Sequence, residues 1–224
     1  MILAINTAFM EANVGLILDD GKRIEKIIDA KSKHSENVLK TIDEVCTEAG
    51  VNINDIENFA VVVGPGSFTG IRIGVAIIKA IAVVNEKAKF FPVSSLELMA
   101  YIYSQKNNNS FATVLNALSN LFFVAEFDKN GIKLKEERMI ERCELEKIKE
   151  KKVCLNGDLV LENADYIEIT THELLNFALS LVENGKSESI ENVNPLYLRP
   201  SQAEANLKSV KKVWKIVDKC DDKM

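Results

Sequence analysis

The chain opens with a pattern of apolar and polar positions that predicts three antiparallel strands. Residues 2–7 form an almost continuous apolar run typical of a buried strand, and residues 13–18 form a second one. Asp20 and Gly21 then predict a tight hairpin turn, because both residues tolerate the positive φ angles that such turns need. Residues 22–30 return with roughly alternating apolar positions as the third strand.

The next apolar positions recur at the three- and four-residue spacing of one helical face. This predicts a helix over about 35–49, with Ser35 as N-cap and Gly50 at the position where a glycine ends a helix. The apolar positions of this helix are Val38, Leu39, Ile42, Val45, Cys46 and Ala49.

After this helix, strands and helices alternate. A strand at 59–63 leads through a glycine-rich loop into a helix over about 69–85, and a strand at 89–93 precedes a helix that ends at Tyr103. Alternation after a three-strand meander indicates an α/β layer with a mixed sheet. The glycine-rich loop consists of Gly64, Pro65, Gly66, Ser67, Phe68, Thr69 and Gly70.

The polar stretch at 106–110 separates this half from a second one that also opens with strands. In the second half we expect strands at 111–117, 121–127, 131–140, 152–155 and 166–169, and helices at 141–151 and 171–184. Because each half of the chain opens with a meander of strands, the two halves are expected to be copies of one structural unit. The prediction is an N-terminal lobe at 1–105, a smaller C-terminal lobe at 111–200 and a C-terminal tail at 201–224.

The glycine-rich loop has two interpretations that the residues leave open. Glycines before a helix allow close approach and free amides, which favours an anion such as phosphate. The loop lacks the Gly-Lys-Ser/Thr of a Walker A motif, and its third glycine at Gly70 comes too late for Gly-x-Gly-x-x-Gly. Thr69 also stands where the nucleophile elbow around Ser67 would need glycine. In the second interpretation, the glycines bind no ligand and only permit a tight connection between strand and helix.

The helix after the loop lacks a polar face. From Ile71 to Val84 its only charged residues are Arg72 and Lys79, and small residues such as Gly74 would let another helix come close. Either the chain buries this helix by itself or a partner's helix covers it. We favour the partner, because two small lobes supply little internal cover.

Composition and charge then limit the functional classes. The chain is 47% hydrophobic and 27% charged, as in ordinary globular proteins, and its net charge of −5 predicts that any contact with a nucleic acid is made through a partner. The lysines near the C-terminus are expected to form a solvated helix face. They are Lys208, Lys211, Lys212 and Lys215.

The scattered cysteines and the apolar runs predict a reduced, cytoplasmic protein that does not enter a membrane. No Cys-x-x-Cys pair indicates zinc, and no run is long enough for a signal peptide or a membrane span. The cysteines are Cys46, Cys143, Cys154 and Cys220.

Residues 64–74, Gly-Pro-Gly-Ser-Phe-Thr-Gly-Ile-Arg-Ile-Gly, resemble the hallmark motif of the TsaB family, also called YeaZ. Three shorter matches occur in the expected order along the chain. They are Ile-Asn-Thr-Ala at 5–8, Lys-His-Ser-Glu at 33–36 and Pro-Leu-Tyr-Leu-Arg at 195–199. The C-terminal tail falls outside the resemblance.

The resemblance implies the two-lobed fold of actin, sugar kinases and Hsp70 (the ASKHA fold), each lobe with a mixed β-sheet flanked by helices. It also implies a scaffold that pairs with the catalytic relative TsaD, and with it the ATPase TsaE, for threonylcarbamoylation of the tRNA adenosine beside the anticodon. The first two helices would form the pairing surface and would also support a homodimer of the protein alone. The candidate contact residues are Val38, Ile42, Val45, Ile71, Gly74 and Ile78.

The same comparison implies that the chain is not an enzyme by itself. TsaD-like catalysis uses a His-x-x-x-His metal pair, which His34 and His172 cannot form. Asn6 and Asn116 stand where family members usually carry aspartate, so the charge that magnesium favours is missing. We therefore predict no catalytic, metal or cofactor-binding residue, and expect ATP or ADP with magnesium only in the complex.

Two rival hypotheses remain open. One is an independent small-molecule kinase of the same fold class that uses the loop from Gly64 to Gly70. The other is a homodimer that binds tRNA through its lysine-rich C-terminal segment.

Overall fold

Two five-stranded sheets form the framework of the protein in a computed structural model that describes residues 1–28 and 34–198. The first sheet contains β1 (Ile2–Asn6), β2 (Ala12–Ile17), β3 (Arg23–Ile28), β4 (Asn58–Gly64) and β5 (Lys89–Ser94). The second sheet contains β6 (Phe111–Asn116), β7 (Leu121–Phe127), β8 (Lys133–Glu141), β9 (Lys151–Leu155) and β10 (Ala164–Ile167).

Five α-helices accompany these sheets within the described part of the chain: α1 (His34–Ala49), α2 (Phe68–Val84), α3 (Ser95–Ser104), α4 (Arg142–Leu145) and α5 (Thr171–Glu183). Short 3-10 turns occur at Ile53–Asp55 and Ile190–Asn192. The helix predicted over 141–151 is wrong in its length, since α4 is a single turn that buries only Leu145. That segment has too few apolar positions to hold a longer helix against the sheet.

The two sheets have the same topology, which confirms the predicted duplicated unit. The strand order is β3-β2-β1-β4-β5 in the first sheet and β8-β7-β6-β9-β10 in the second. In each sheet, three successive strands form the antiparallel meander and the last two strands add in parallel. The fold is therefore the predicted two-lobed ASKHA architecture, with a mixed sheet and flanking helices in each lobe.

Helices cover both faces of the first sheet. Thr7, just after β1, contacts α2 on one face, whereas Gly15 in β2 lies against α5 on the other. A side chain at Gly15 would meet Leu175 at 2.8 Å, so the missing Cβ is what lets α5 approach the sheet. Because β1 is buried between these two layers, it carries the continuous apolar run that the sequence displays.

The helices α3 and α5 join the two lobes. α3 packs on β6 and β7 of the second sheet, and α5 follows the second sheet in the chain yet packs on β1 and β2 of the first. The residue boundaries of the lobes, 1–105 and 111–200, therefore stay a prediction. The tail at 201–224, including its four lysines and Cys220, lies outside the described residues.

Within residues 1–28 and 34–198, none of the helices combines the length and the apolar character that a membrane crossing would require.

Candidate functional site

The six residues predicted to contact a partner all lie in the core of the first lobe. Five of them expose at most 6% of their surface, and Gly74 is buried against Thr7 and Val61. This corrects the choice of contact residues, because a three- to four-residue spacing identifies an apolar helix face without saying whether the sheet or a partner covers it. The buried six are Val38, Ile42, Val45, Ile71, Gly74 and Ile78.

The opposite side of α2 is exposed, and we call it the α2 outer face. It consists of Thr69, Arg72, Ala76, Ala80 and Val83, which recur every three or four residues and are all exposed. Arg72 is its only charged member, and Val83 at its end is 82% exposed. α2 thus carries apolar residues on both faces, but the protein itself covers only the inner face. An uncovered apolar helix face of this kind is typical of an interaction surface.

The α2 outer face continues toward α1 through a shallow groove. Leu39 of α1 is more than half exposed and stands beside the acidic Asp43. Ile81 of α2 forms part of the opposite wall. The groove encloses about 330 Å³ and is lined by Leu39, Ile42, Asp43, Cys46, Thr47, Val51, Asn52, Ile53 and Ile81. The groove between α1 and α2 is therefore lined mainly by apolar side chains.

The glycine-rich loop is packed tightly against the residues that follow β1. A Cβ atom on Gly66 would lie 2.5 Å from the carbonyl oxygen of Ala8, and one on Gly70 would lie 1.9 Å from that of Thr7. The Ser67 amide donates to the Ala8 carbonyl at 2.8 Å. The glycines at these positions thus make room for neighbouring backbone.

Two backbone amides at the start of α2 are also engaged within the chain. Ser67 is the N-cap, and its Oγ accepts a hydrogen bond from the Gly70 amide at 3.2 Å. The Ile71 amide donates to the Ser67 carbonyl at 2.9 Å. Because these amides are engaged and two carbonyl oxygens face the loop, the geometry favours the packing interpretation over a phosphate site.

The structure brings the hallmark motif and the closing motif together. Leu196 donates its amide to the carbonyl of Val63 at 2.8 Å, so the closing segment runs beside β4. The rings of Phe68 and Tyr197 pack at a tilt of 33° with centroids 5.1 Å apart, and Arg72 stacks over the Phe68 ring at 3.8 Å. Sequence reasoning missed this stack, although both motifs carried an aromatic residue. Arg199, the last residue of the closing motif, lies outside the described range.

Asn6 belongs to a buried chain of neutral hydrogen bonds. Its side-chain amide donates to the Asn13 oxygen at 3.0 Å, and Asn13 donates to the hydroxyl of Thr171 at 3.2 Å. The Asn6 oxygen accepts from the Ala8 amide. These contacts tie β1 and β2 to α5. Nothing in the sequence spacing indicated the roles of Asn13 and Thr171, because Thr171 stands 158 positions after Asn13.

Asn116 has the equivalent position at the end of β6, and it too is engaged structurally. Its backbone amide donates to Asp158 at 2.7 Å, and its side-chain oxygen accepts from the Leu118 amide at 2.9 Å. Burial raises the pKa of the Asp158 carboxyl, and the hydrogen bond from the Asn116 amide opposes that shift.

Acidic and metal-binding side chains are dispersed over the part of the chain that the structure covers. His172 is paired with Glu25 at 3.1 Å and lies near Arg23. Over residues 1–28 and 34–198, no three His, Cys, Asp or Glu side chains come together as metal ligands would. The described cysteines, Cys46, Cys143 and Cys154, are free thiols.

Comparison with known proteins places these features in context. Residues 28–167 match the family model of TsaD, tRNA N6-adenosine threonylcarbamoyltransferase. The tRNA threonylcarbamoyladenosine biosynthesis protein TsaB of Escherichia coli K12 is 28% identical over 225 residues, covering 90% of this chain and 96% of that protein. The TsaB of Buchnera aphidicola subsp. Schizaphis graminum is 25% identical over 187 residues, covering 79% and 84%.

Solved structures agree on the fold. YeaZ from Pseudomonas aeruginosa superposes with a TM-score of 0.71 at 18% identity, covering 88% of this chain and 99% of that one.

A shorter sequence match links this chain to the tRNA N6-adenosine threonylcarbamoyltransferase of Persephonella marina. The two are 33% identical over 75 residues, which cover 34% of this chain and 21% of that protein.

Proposed function

The chain belongs to the TsaB family, within the wider TsaD family, and we propose that it is a non-catalytic scaffold subunit that binds TsaD. The family takes part in tRNA threonylcarbamoyladenosine biosynthesis. In this proposal TsaE joins through TsaD, and the assembled complex threonylcarbamoylates the tRNA adenosine next to the anticodon.

The observation that carries the proposal is the uncovered α2 outer face. The inner face of α2 is filled by residues such as Ile71 and Ile78, which the first sheet buries. The outer face carries Ala76, Ala80 and Val83, whose small side chains allow another helix to pack closely. Covering such a surface removes apolar area from water, which is the main driving force of protein association.

The absence of catalysis in this proposal rests on the polar groups at the ends of β1 and β6. Asn6 and Asn116 are neutral and already hydrogen-bonded, so neither supplies the charge that a hard cation needs. The engaged amides of the glycine-rich loop also argue against an independent kinase. We propose that any ATP, ADP or magnesium binds in the complex with TsaD and TsaE.

The same surface accounts for the proposed behaviour of the protein alone. Without TsaD, two copies would cover their α2 outer faces by forming a homodimer. The net charge of −5 opposes direct binding to the tRNA backbone, so tRNA is reached through the complex. We propose the cytoplasm as the place of action, since tRNA is modified there.

Size-exclusion chromatography with light scattering, on the chain mixed with TsaD from the same organism, tests the proposal. The wild type should form a one-to-one complex, which Val83→Glu should abolish. The same substitution at Val160, which is 91% exposed on the second lobe, is the matched control and should leave the complex intact. Ile78→Glu is unsuitable, because Ile78 is buried and the charge would unfold the chain.

Two results would overturn the proposal. The first is the lack of any complex between the wild-type proteins at micromolar concentration. The second is a complex that Val83→Glu leaves unchanged, since the α2 outer face would then play no part in binding.

A further inference from the structure

Arg72 lies within the surface that a partner helix would cover, near the start of α2. It shares the α2 outer face with Ala76 and Ala80, which follow it at successive four-residue intervals. A helix that packs closely on these two alanines must also pass over or beside Arg72. The other charged residue of α2, Lys79, is held by Asn194 at 2.9 Å.

The guanidinium of Arg72 is held in one orientation before any partner binds. Its Cζ atom lies 3.8 Å above the Phe68 ring and 5.6 Å from the Tyr197 ring. Its Nε donates to the Tyr197 hydroxyl at 2.6 Å. A planar cation that is stacked and hydrogen-bonded loses little conformational freedom when it binds a further group.

Within residues 1–28 and 34–198, Arg72 has no carboxylate partner. Its hydrogen bond uses Nε, which leaves the two Nη nitrogens without a partner among these residues. Two half-buried cations elsewhere in the described part of the chain do have carboxylate partners: Arg138 binds Glu126, and Lys133 binds Glu97. Covering an unpaired guanidinium with an apolar partner would be strongly unfavourable.

From these observations we infer that Arg72 is a contact residue for the partner and receives a carboxylate from TsaD. This inference rests on the proposed function. The two free Nη nitrogens form the fork that binds a carboxylate through two parallel hydrogen bonds. An aspartate or glutamate on the covering helix would offset the free-energy cost of burying the Arg72 charge. Phe68 and Tyr197 act as positioning residues that hold the guanidinium in place.

A carboxylate of a protein fits this position better than a phosphate of RNA. The residues that continue the α2 outer face beyond Arg72 are Ala76, Ala80 and Val83, which offer no further cation to a phosphate backbone. The net charge of the whole chain, −5, also repels RNA.

Isothermal titration calorimetry of the full chain with TsaD, first without and then with tRNA, tests the inference at low and at high salt. Arg72→Met should weaken binding about tenfold or more at low salt and should flatten the salt dependence. Arg72→Lys should recover only part of the affinity, because an ammonium lacks the fork. Tyr197→Phe, which keeps the ring but loses the hydrogen bond, should weaken binding by a few-fold.

Arg142→Met is the matched control. Arg142 is also exposed, lies 5.5 Å from the Phe122 ring and donates from Nε to Asn120, but it belongs to the second lobe. Its substitution should not change the affinity. Thermal unfolding of each variant checks that the fold is intact.

The outcomes separate this inference from the proposed function. One outcome is that the wild type binds TsaD, Val83→Glu fails to bind, and Arg72→Met binds as tightly as the wild type. In that case the α2 outer face is the binding surface, but Arg72 is not a contact residue. If the effect of Arg72→Met appears only when tRNA is present, its ligand is a phosphate and the carboxylate is excluded. If wild type fails to bind, both proposals are overturned.

Discussion

Thr7 and Gly70 are in direct contact across the junction of β1 and α2. The Thr7 hydroxyl donates to the Gly70 carbonyl at 2.7 Å, and the Thr7 carbonyl lies 1.9 Å from the position that a Cβ atom on Gly70 would occupy. Real Cβ atoms do not come this close to backbone oxygen, so only glycine fits. The contact explains why the helix can begin directly beside the end of the central strand.

Gly70→Ala should therefore destabilise the fold by about 3 kcal/mol, because the added methyl group must displace the Thr7 backbone. Urea unfolding followed by circular dichroism measures this loss. Gly185→Ala is the control, since nothing lies within 4 Å of its Cβ position and only its φ of +64° opposes the change, at about 1 kcal/mol. Equal losses at the two sites would contradict the tight packing at Gly70.

The two faces of α2 should respond differently to truncation. Ile78→Ala should cost about 2–5 kcal/mol of unfolding free energy, because Ile78 is completely buried and the change leaves a cavity. Val83→Ala should change the stability by less than about 0.5 kcal/mol, because Val83 is exposed. Urea unfolding of the chain without TsaD gives both numbers. A large loss at Val83 would show that this chain itself covers the α2 outer face.

Glu137 on β8 should make the stability depend on pH. Its side chain is only 6% exposed, with Ser94 and Lys133 as partners and Oε2 without a hydrogen bond. Burial raises the pKa of the Glu137 carboxyl, the hydrogen bond from Ser94 and the charge of Lys133 lower it, and Glu97 adds to the rise. The pKa of Glu137 is therefore higher in the folded state than in the unfolded state. Protonation of Glu137 stabilises the fold fully below the pKa of the unfolded state, and this contribution is lost as the pH rises through the pKa of the folded state.

Glu137→Gln should therefore raise the melting temperature at pH 7.5, by an amount that corresponds to about 1 kcal/mol. The gain should shrink toward pH 4, where the wild-type carboxyl becomes neutral by itself. Differential scanning calorimetry at several pH values measures it. The exposed neighbour Glu136 provides the control variant Glu136→Gln. A gain that stays constant from pH 4 to pH 7.5 would exclude titration of Glu137 as the cause.

Asn6→Asp should introduce the aspartate that the family resemblance implies at this position but should not create an ATPase. The substitution replaces the amide that donates to Asn13 with a carboxylate, at a site without solvent contact. We expect a loss of about 1–3 kcal/mol of stability. Thermal unfolding and an ATP-hydrolysis assay with magnesium test the two parts, and Asn54→Asp on the surface is the control. Magnesium-dependent turnover in the Asn6→Asp variant would favour the kinase hypothesis.

The sequence alone predicted most of the secondary structure and the duplicated plan of the two sheets. Strands such as β1 and β4 were evident because burial on both faces demands a continuous apolar run. α1 was evident because its apolar positions recur at helical spacing. The α4 region was the exception, since its few apolar residues hold only one turn.

Tertiary structure alone decided which residues meet. Spacing marked Val38, Ile42 and Ile78 as apolar helix positions, but only the packed fold shows that the sheet covers them and leaves Ala80 and Val83 outside.

The same holds for polar partners that are far apart in sequence. The hydrogen bond from Arg72 to Tyr197 joins residues 125 positions apart, and the one from Asn13 to Thr171 spans 158. Local spacing determines which side of a helix or strand is apolar, because that depends on neighbours along the chain. What each side of a helix or strand packs against depends on the arrangement of elements that are distant in sequence. No local pattern of residues contains that information.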